Sequence, residues 1–319
     1  MKYDNTKLMW TKLELLMLLV STCLCLSAAT FTIDELSFDT IGRGECVVYA
    51  TDPFRLHGSI DIPSHVMFDG QSFTVTAIRC DAFRGSKISR VKIPSTVRTI
   101  GPMAFCVTRV KSVDIPSSVK IIGHDAFREC HRLKVVQLHE GLLQIELGAF
   151  LGCHSLRQII IPASVRYIGD DCFCECVNLR DVQFLGEPDS CGTGVFIDCG
   201  LTKPVHTSRY LLFVPPTFQG TYAIPNGITI IPGGILEFCE HLDTIIFPES
   251  IDSICIETYV SQQCWIFQSK NPPVLHISPD FPDLYPQINE SISFVVPQGC
   301  RDTYSESPSW LGITNITEK

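Results

Sequence analysis

The residues with the most obvious chemistry in this chain are its sixteen cysteines. Three of them lie in "CFCEC" at 172 to 176, the best candidate for a metal site. Zinc sites use paired cysteines separated by two to four residues, with a second pair elsewhere. The spacing here is different, so we predict no metal site. A pair of histidines, His131 and His154, offers only two ligands and is better explained as solvated imidazoles.

The sequence contains no motif typical of an enzyme. It has no Gly-x-Ser-x-Gly, no His-Glu-x-x-His and no glycine-rich phosphate loop. Asp170 and Asp171 form a carboxylate pair, but they lie in a predicted turn, where polar residues are expected. A glycosidase would need two carboxylates facing each other across a cleft. We therefore predict a non-catalytic protein without a cofactor, and an extracellular hydrolase is the least favoured alternative.

The charge of the chain argues against nucleic acid as a partner. Its formal net charge is -9, with 25 basic and 34 acidic residues and a pI near 5.5. Phosphate binding requires an excess of Lys and Arg, and the sequence has no basic run. With 319 residues and 45% hydrophobic composition, the chain can bury a large core.

Residues 1–29 are predicted to be a signal peptide. Lysines precede the apolar run "LLMLLVSTCLCL" at 15 to 26, and "SAA" at 27 to 29 suits signal peptidase. The run is too short to span a bilayer, which takes about 20 residues. In an alternative interpretation, "VSTC" is an imperfect lipobox and Cys23 carries a lipid anchor. Both interpretations place the mature chain outside the cytoplasm, with no transmembrane segment after signal removal.

An internal repeat of 22 or 23 residues dominates the rest of the sequence. Apolar residues recur eight and five residues before a repeated phenylalanine and six residues after it, and a cysteine often follows three residues after it. The repeated phenylalanines are Phe83, Phe105, Phe127, Phe150, Phe173 and Phe196. The cysteines in the same register are Cys130, Cys153, Cys176 and Cys199, with Cys239 following Leu236 after an insertion. Tyr259 takes the phenylalanine place one unit later.

Apolar residues at fixed places in so short a unit can be buried only if the units stack along an axis. The segment after each cysteine is rich in β-formers and ends at proline, so it predicts one short strand per coil. Strands of successive coils would be parallel and about 4.8 Å apart. The Ala-Phe-x-x-Cys segment predicts a helical or 3₁₀ turn. The predicted fold is a mostly β solenoid with phenylalanine and cysteine columns in its core.

The repeat Ile-Pro-x-x-Val-x-x-Ile-Gly-x-x-Ala-Phe-x-x-Cys-x-x-Leu resembles the BspA-like leucine-rich repeats of surface and secreted proteins. This resemblance implies repeats over 72–260, a β-rich N-terminal cap over 30–71 and a C-terminal cap over 261–319. It implies a hairpin at Asp69-Gly70 and a packed Trp310. The segment at about 200–225 is predicted to be an insertion, with a protruding hairpin at 210–225.

A cysteine tied to the core register is a packing residue, because free cysteine behaves as a small buried hydrophobe. Other cysteines of an exported chain are open to oxidation, and the candidate disulfides are Cys191–Cys199 and Cys264–Cys300.

The outward side of the predicted strands is the candidate binding surface, since solenoids use such faces for docking. Alternation from the buried leucines places the following residues outward: Arg90, Lys92, Ser112, Asp114, Val135, Gln137, Gln158, Ile160, Asp181, Gln183, Thr244 and Ile246. Exposed aliphatics among polar residues can mark a contact surface. We expect a secreted or cell-surface protein-binding or adhesion module whose partner is a protein on a host or neighbouring cell.

The alternative is a carbohydrate-binding or nutrient-uptake lipoprotein. Such sites favour exposed Trp or Tyr, which the outward strand positions lack.

Overall fold

The computed structural model describes residues 29–42, 44–236, 239–257, 260–279 and 284–319. The predicted signal peptide, apart from Ala29, lies outside the described residues, as do Cys23 and Tyr259. Within the described chain the architecture is a parallel β solenoid, so the predicted fold class is confirmed.

The chain enters the solenoid through antiparallel strands. The first six strands are β1 (Thr30–Ile33), β2 (Leu36–Gly42), β3 (Glu45–Ala50), β4 (His57–Asp61), β5 (His65–Phe68) and β6 (Gln71–Ile78). Strand β2 pairs with β1 on one side and with β3 on the other, both antiparallel. Strand β5 pairs with β6 in the predicted hairpin. Asp69 and Gly70 form its two-residue turn with φ of 49° and 69°, the left-handed conformation that such turns require. Parallel pairing begins with β3 on β6 and therefore starts before residue 72.

Each following coil contributes one longer and one shorter strand, so the predicted single strand per coil is wrong. The longer strands are β7 (Lys87–Lys92), β9 (Ser112–Ile115), β11 (Val135–Leu138), β13 (Gln158–Ile161) and β15 (Asp181–Phe184). The shorter strands are β8 (Thr99–Ile100), β10 (Ile121–Ile122), β12 (Gln144–Ile145), β14 (Tyr167–Ile168) and β16 (Ser190–Cys191). The shorter strands form a continuous parallel sheet from β6 to β16, and β4 with β7, β9 with β11 and β13 with β15 pair in parallel.

The Ala-Phe-x-x-Cys segment is a series of tight turns rather than the predicted helical or 3₁₀ turn. The N–H of Ala126 donates to the Gly123 carbonyl within its own coil, at an N···O distance of 3.2 Å. The next N–H along, that of Phe127, donates to the Ala149 carbonyl of the following coil at 2.8 Å. A helix would use every N–H internally, whereas here every second one joins two coils. Asp125 accordingly has a φ of 54°, which interrupts any helix.

The six repeated phenylalanines form one stacked column in the core. Each ring is fully buried, and neighbouring ring centroids lie 5.0 to 5.5 Å apart with nearly parallel planes. This spacing follows that of parallel strands, because each ring comes from the same position of its coil. Burying each ring contributes about 2–3 kcal/mol, so the column is a large part of what holds the coils together.

The repeated cysteines form a second column with a hydrogen-bonding role. The thiol of Cys130 donates to the Phe105 carbonyl at 3.1 Å, and that of Cys153 donates to the Phe127 carbonyl at 3.2 Å. Cys176 and Cys199 repeat the contact one and two coils later. At the start of the column Thr108 occupies the same place, with its hydroxyl 3.2 Å from the Cys130 sulfur. The position therefore selects a small side chain that can donate a hydrogen bond.

Neither candidate disulfide is formed, because Cys191, Cys199, Cys264 and Cys300 are free thiols. Cys199 belongs to the core column, where its sulfur is directed to a carbonyl rather than to Cys191. The Cys300 thiol donates to the Gln298 carbonyl, at 3.9 Å, rather than bonding to Cys264.

The region after residue 200 departs from the predicted protruding hairpin. A short antiparallel pair occurs earlier, between β17 (Val205–His206) and β18 (Leu211–Phe213). Leu211, Leu212, Phe213 and Val214 are buried and take part in the hydrophobic core. Their apolar run would be costly to expose to solvent, so the segment packs inward.

Parallel stacking then resumes and continues past residue 260. The remaining elements are β19 (Gly220–Ala223), β20 (Ile230–Ile231), β21 (Leu242–Phe247), β22 (Ser253–Ile256), β23 (Gln263–Phe267), β24 (Val274–Ile277), α1 (Leu284–Ser291), β25 (Ile292–Val296), α2 (Arg301–Ser305), a 3₁₀ turn (Pro308–Trp310) and β26 (Ile316–Glu318). Strands β19, β21, β23, β25 and β26 pair in parallel in that order. Trp265 and Trp310 are fully buried, and the Trp310 indole N–H donates to the Pro273 carbonyl at 2.8 Å.

Candidate binding surface

The outward residues of β7, β9, β11, β13 and β15 lie in two columns, which we call the N-terminal strand face. Parallel register places Ser112 beside Val135 and Gln158 beside Asp181 in the first column. The first column is Arg90, Ser112, Val135, Gln158 and Asp181; the second is Lys92, Asp114, Gln137, Ile160 and Gln183. All ten side chains are exposed, because Val113, Val136 and Ile159 take the alternate inward positions and are buried.

Val135 and Ile160 are the apolar members of this face. Their side chains are 47% and 45% exposed, and they lie on neighbouring coils in different columns. Polar side chains surround them, including Ser112 beside Val135 and Gln183 beside Ile160. The face therefore presents a small apolar centre within a polar surface, an arrangement found in protein interfaces.

Asp114, the second residue of the second column, contacts an exposed histidine. The imidazole Nε2 of His139 lies 2.6 Å from the Asp114 carboxylate, with both side chains substantially exposed. One coil earlier, Lys92 lies in register with Asp61 of β4. Solvent-exposed ion pairs contribute little to stability, so these residues mainly determine the charge distribution at this surface.

Thr244 and Ile246 are not brought together with the other predicted residues. They lie on the outward side of β21, in the sheet that begins at β19, and both are half-buried. The antiparallel pair β17–β18 stands between β15 and β19 in the chain, so the strand pairing of the first face does not continue into this sheet.

A row of aliphatic residues on this second sheet was missed by the sequence reasoning. Parallel register aligns Ala223 with Ile246, Ile246 with Ile266 and Ile266 with Val295, on β19, β21, β23 and β25. We call this row the C-terminal strand face. Ile266 and Val295 also line a groove of about 660 Å³ that reaches Lys319. The alternation of apolar residues at 263–267 and 292–296 indicated these strands. They were not recognised because residues 261–319 were assigned to a C-terminal cap.

The buried thiols are in an environment that makes them unreactive. Burial raises the pKa of Cys130 to about 12 and raises the pKa of Cys153 well above its usual value. A protonated thiol is a poor nucleophile, and here it is also the hydrogen-bond donor to a carbonyl. In "CFCEC", Cys172 and Cys176 are fully buried and only Cys174 is partly exposed.

His131 and His154 stack on adjacent coils with ring centroids 4.4 Å apart. Nδ1 of His131 lies 3.0 Å from the Gly152 carbonyl, so this ring is used in joining two coils. Within the described part of the chain, no group of three or more His, Cys, Asp or Glu side chains is placed to hold a metal ion.

A sequence profile described as "BspA type Leucine rich repeat region" matches residues 73–208 and 217–270 with six copies. These ranges are more than half of the chain. The chain belongs to the BspA-type leucine-rich repeat family. A search of curated proteins finds no match.

Solved structures share the fold of this BspA-type repeat protein. The pneumococcal vaccine antigen PcpA is 13% identical, with a TM-score of 0.52 over 92% of this chain and 99% of the antigen chain. A leucine-rich repeat protein from Bacteroides ovatus is 19% identical, with a TM-score of 0.45 over 86% of this chain and 80% of its own. A leucine rich cell surface protein from Faecalibacterium prausnitzii is 19% identical, with a TM-score of 0.46 over 92% and 95%. At these identities the likeness concerns the fold alone.

The described helices of this repeat protein are short, and none combines the length and apolar character needed to cross a bilayer.

Proposed function

We propose that this BspA-type repeat protein is an exported, non-catalytic module that binds protein partners through its strand faces. The observation that carries the proposal is the presence of solvent-accessible aliphatic side chains, in register, on the outward side of adjacent strands. A solenoid presents an extended surface, which suits it to docking a macromolecule.

The N-terminal strand face supplies the exposed apolar centre, Val135 and Ile160. Fully burying an aliphatic side chain contributes about 1.5–3 kcal/mol, so covering the exposed half of each contributes about 1 kcal/mol. The surrounding polar residues are Ser112, Gln137 and Gln158, which can form hydrogen bonds at the rim of an interface. The C-terminal strand face would add a second contact of the same kind.

Export is proposed from the sequence of residues 1–29, with its basic start, apolar run and small residues before position 30. The mature protein would act at a cell surface or as a secreted adhesion module. Amino-terminal sequencing of the mature protein tests this: Thr30 at the amino terminus supports signal peptidase cleavage. Cys23 at that position would support a lipid anchor, and an intact Met1 would contradict export.

Binding through the N-terminal strand face is tested with the variant Val135→Glu/Ile160→Glu. Proteins of a neighbouring-cell surface extract are captured on the purified protein, and each candidate is then titrated in purified form. We expect the variant to bind at least tenfold more weakly, a loss of about 1.4 kcal/mol or more, because it replaces two apolar contacts with charges that must be desolvated.

The matched control is Leu147→Glu/Val177→Glu. These two aliphatic side chains are 47% and 45% exposed, the same as Val135 and Ile160, but they lie off the strand face. Equal affinity for the partner in both variants would remove the N-terminal strand face from the proposal. The variant Ile246→Glu/Ile266→Glu tests binding through the C-terminal strand face in the same way.

A further inference from the structure

A line of basic side chains borders the N-terminal strand face. Lys111, Lys134, Arg157 and Arg180 each stand immediately before the first residue of β9, β11, β13 and β15. All four are exposed. We call these four residues the basic column.

Backbone hydrogen bonds show that the basic column is in register from coil to coil. The N–H of Lys134 donates to the Lys111 carbonyl at 2.8 Å, and the N–H of Arg180 donates to the Arg157 carbonyl at 2.9 Å. Between these two pairs, the stacked histidines at 131 and 154 hold the neighbouring coils together. Parallel strands are about 4.8 Å apart, so the four positions span about 14 Å along the solenoid.

The side chains of the basic column have no ion-pair partner in the described part of the chain. No ion pair among the described residues, at N···O distances up to 4.0 Å, involves any of the four side chains. Only Arg180 is held in place, by donating to the Val177 carbonyl at 2.9 Å. Like charges in register repel each other, so folding alone gives no reason for this arrangement in a chain whose net charge is -9.

Further basic residues widen the positive region at its N-terminal end. Arg109 and Arg132 lie two residues before Lys111 and Lys134 and are also exposed. None of the described ion pairs includes either of them. The region is therefore a positively charged surface several coils long.

We propose that the basic column binds a linear anionic polysaccharide that carries sulfate or uronate groups. In a sulfated glycan that contains uronate, every sugar can carry an anionic group, so charged groups occur all along an extended chain. In an extended polypeptide, side chains on one side recur about every 6.8 Å, since each residue advances about 3.4 Å. The coil spacing of about 4.8 Å is shorter than this repeat, so charge that is continuous along a glycan suits the basic column better than the same-side carboxylates of an acidic peptide.

The surroundings of the basic column favour this ligand over other polyanions. Single-stranded nucleic acids require aromatic side chains on which bases stack, and the outward positions of the N-terminal strand face include none. The basic column would contact its ligand through charges, whereas sites for neutral sugars use exposed aromatic side chains. This proposal does not rest on protein binding by Val135 and Ile160, and the two can fail independently.

Heparin, which is sulfated and contains uronate, is the probe. An end-labelled heparin oligosaccharide is titrated with the purified protein by fluorescence anisotropy at two salt concentrations. The variant Lys111→Gln/Lys134→Gln/Arg157→Gln should bind at least tenfold more weakly and with a shallower salt dependence. The conservative variant Lys111→Arg/Lys134→Arg/Arg157→Lys should keep the affinity, because it keeps the charge.

The control removes the same charge elsewhere, with Lys120→Gln/Arg166→Gln/Lys270→Gln, and should change heparin affinity less than twofold. These three side chains are exposed and lie outside the basic column. Absence of heparin binding by the wild type, or an equal loss in the control, overturns the proposal. Polyglutamate of matched charge that binds as tightly as heparin also overturns it, in favour of an acidic polypeptide. Unchanged circular dichroism of the variants confirms that they are folded.

Discussion

Replacing Phe150 by alanine should strongly destabilise the central coils. The Phe150 ring is fully buried, and its centroid lies 5.3 Å from those of both Phe127 and Phe173. Removing it leaves a cavity in the middle of the aromatic column. Phe→Ala substitutions in cores cost about 3–5 kcal/mol, and this includes two stacked ring pairs worth about 0.5–1.5 kcal/mol each.

The loss is large against the total stability of a folded domain, which is typically about 5–15 kcal/mol. Phe83 has a single ring neighbour in the column, at 5.2 Å from Phe105. Its replacement by alanine should therefore cost about 1 kcal/mol less than that of Phe150. Because repeat units contact mainly their neighbours, the damage should be greatest in the coils that flank the substitution.

Urea unfolding followed by circular dichroism measures the loss, and hydrogen exchange locates it. We expect the backbone N–H of Phe127, which joins two coils, to exchange much faster in Phe150→Ala. Phe54 is 75% exposed, so Phe54→Ala should change stability by less than about 0.5 kcal/mol. A loss below about 1 kcal/mol in Phe150→Ala, or an equal loss in Phe54→Ala, would refute the stacked column as a stabilising element.

Two further predictions concern the thiols and the glycines. The pKa of Cys130 is raised by burial from 9.0 to about 12, so its contribution to stability is complete below pH 9 and is lost as the pH rises toward 12. The urea midpoint should therefore fall above pH 9, and less steeply in Cys130→Thr; an identical fall in both would contradict this assignment. Gly169→Ala should cost about 1–3 kcal/mol in urea unfolding, because the added methyl carbon would come within 2.2 Å of the Leu147 backbone nitrogen. A neutral effect of Gly169→Ala would show that the coils are not this closely stacked.

Several features of the fold follow from the sequence pattern. A phenylalanine that recurs every 22 or 23 residues can be buried only by stacking of units, and the rings do stack in one file. Alternation along each strand also places Val135 and Ile160 outward, since successive side chains point to opposite faces. These conclusions need only the period of the repeat and the geometry of a strand.

Other features were not predictable from the pattern. The apolar segment at 211–214 resembles a hairpin strand in isolation, yet it is buried because a hydrophobic core is present on both sides of it. The left-handed φ of Asp125 appears only when alternate N–H groups bond the next coil. The aliphatic row with Ile246 and Ile266 was concealed because the repeat motif weakens after residue 249 while the strand stacking continues.

The sequence by itself determined the coil, its period and the columns that face the core, because each unit repeats the same apolar positions. Tertiary structure alone decided which exposed side chains become neighbours. Lys134 and Arg157 are 23 residues apart in the chain, and their charges act together only because parallel stacking brings successive coils to within about 4.8 Å. Burial is dictated locally by each unit, whereas a binding surface depends on the register between units.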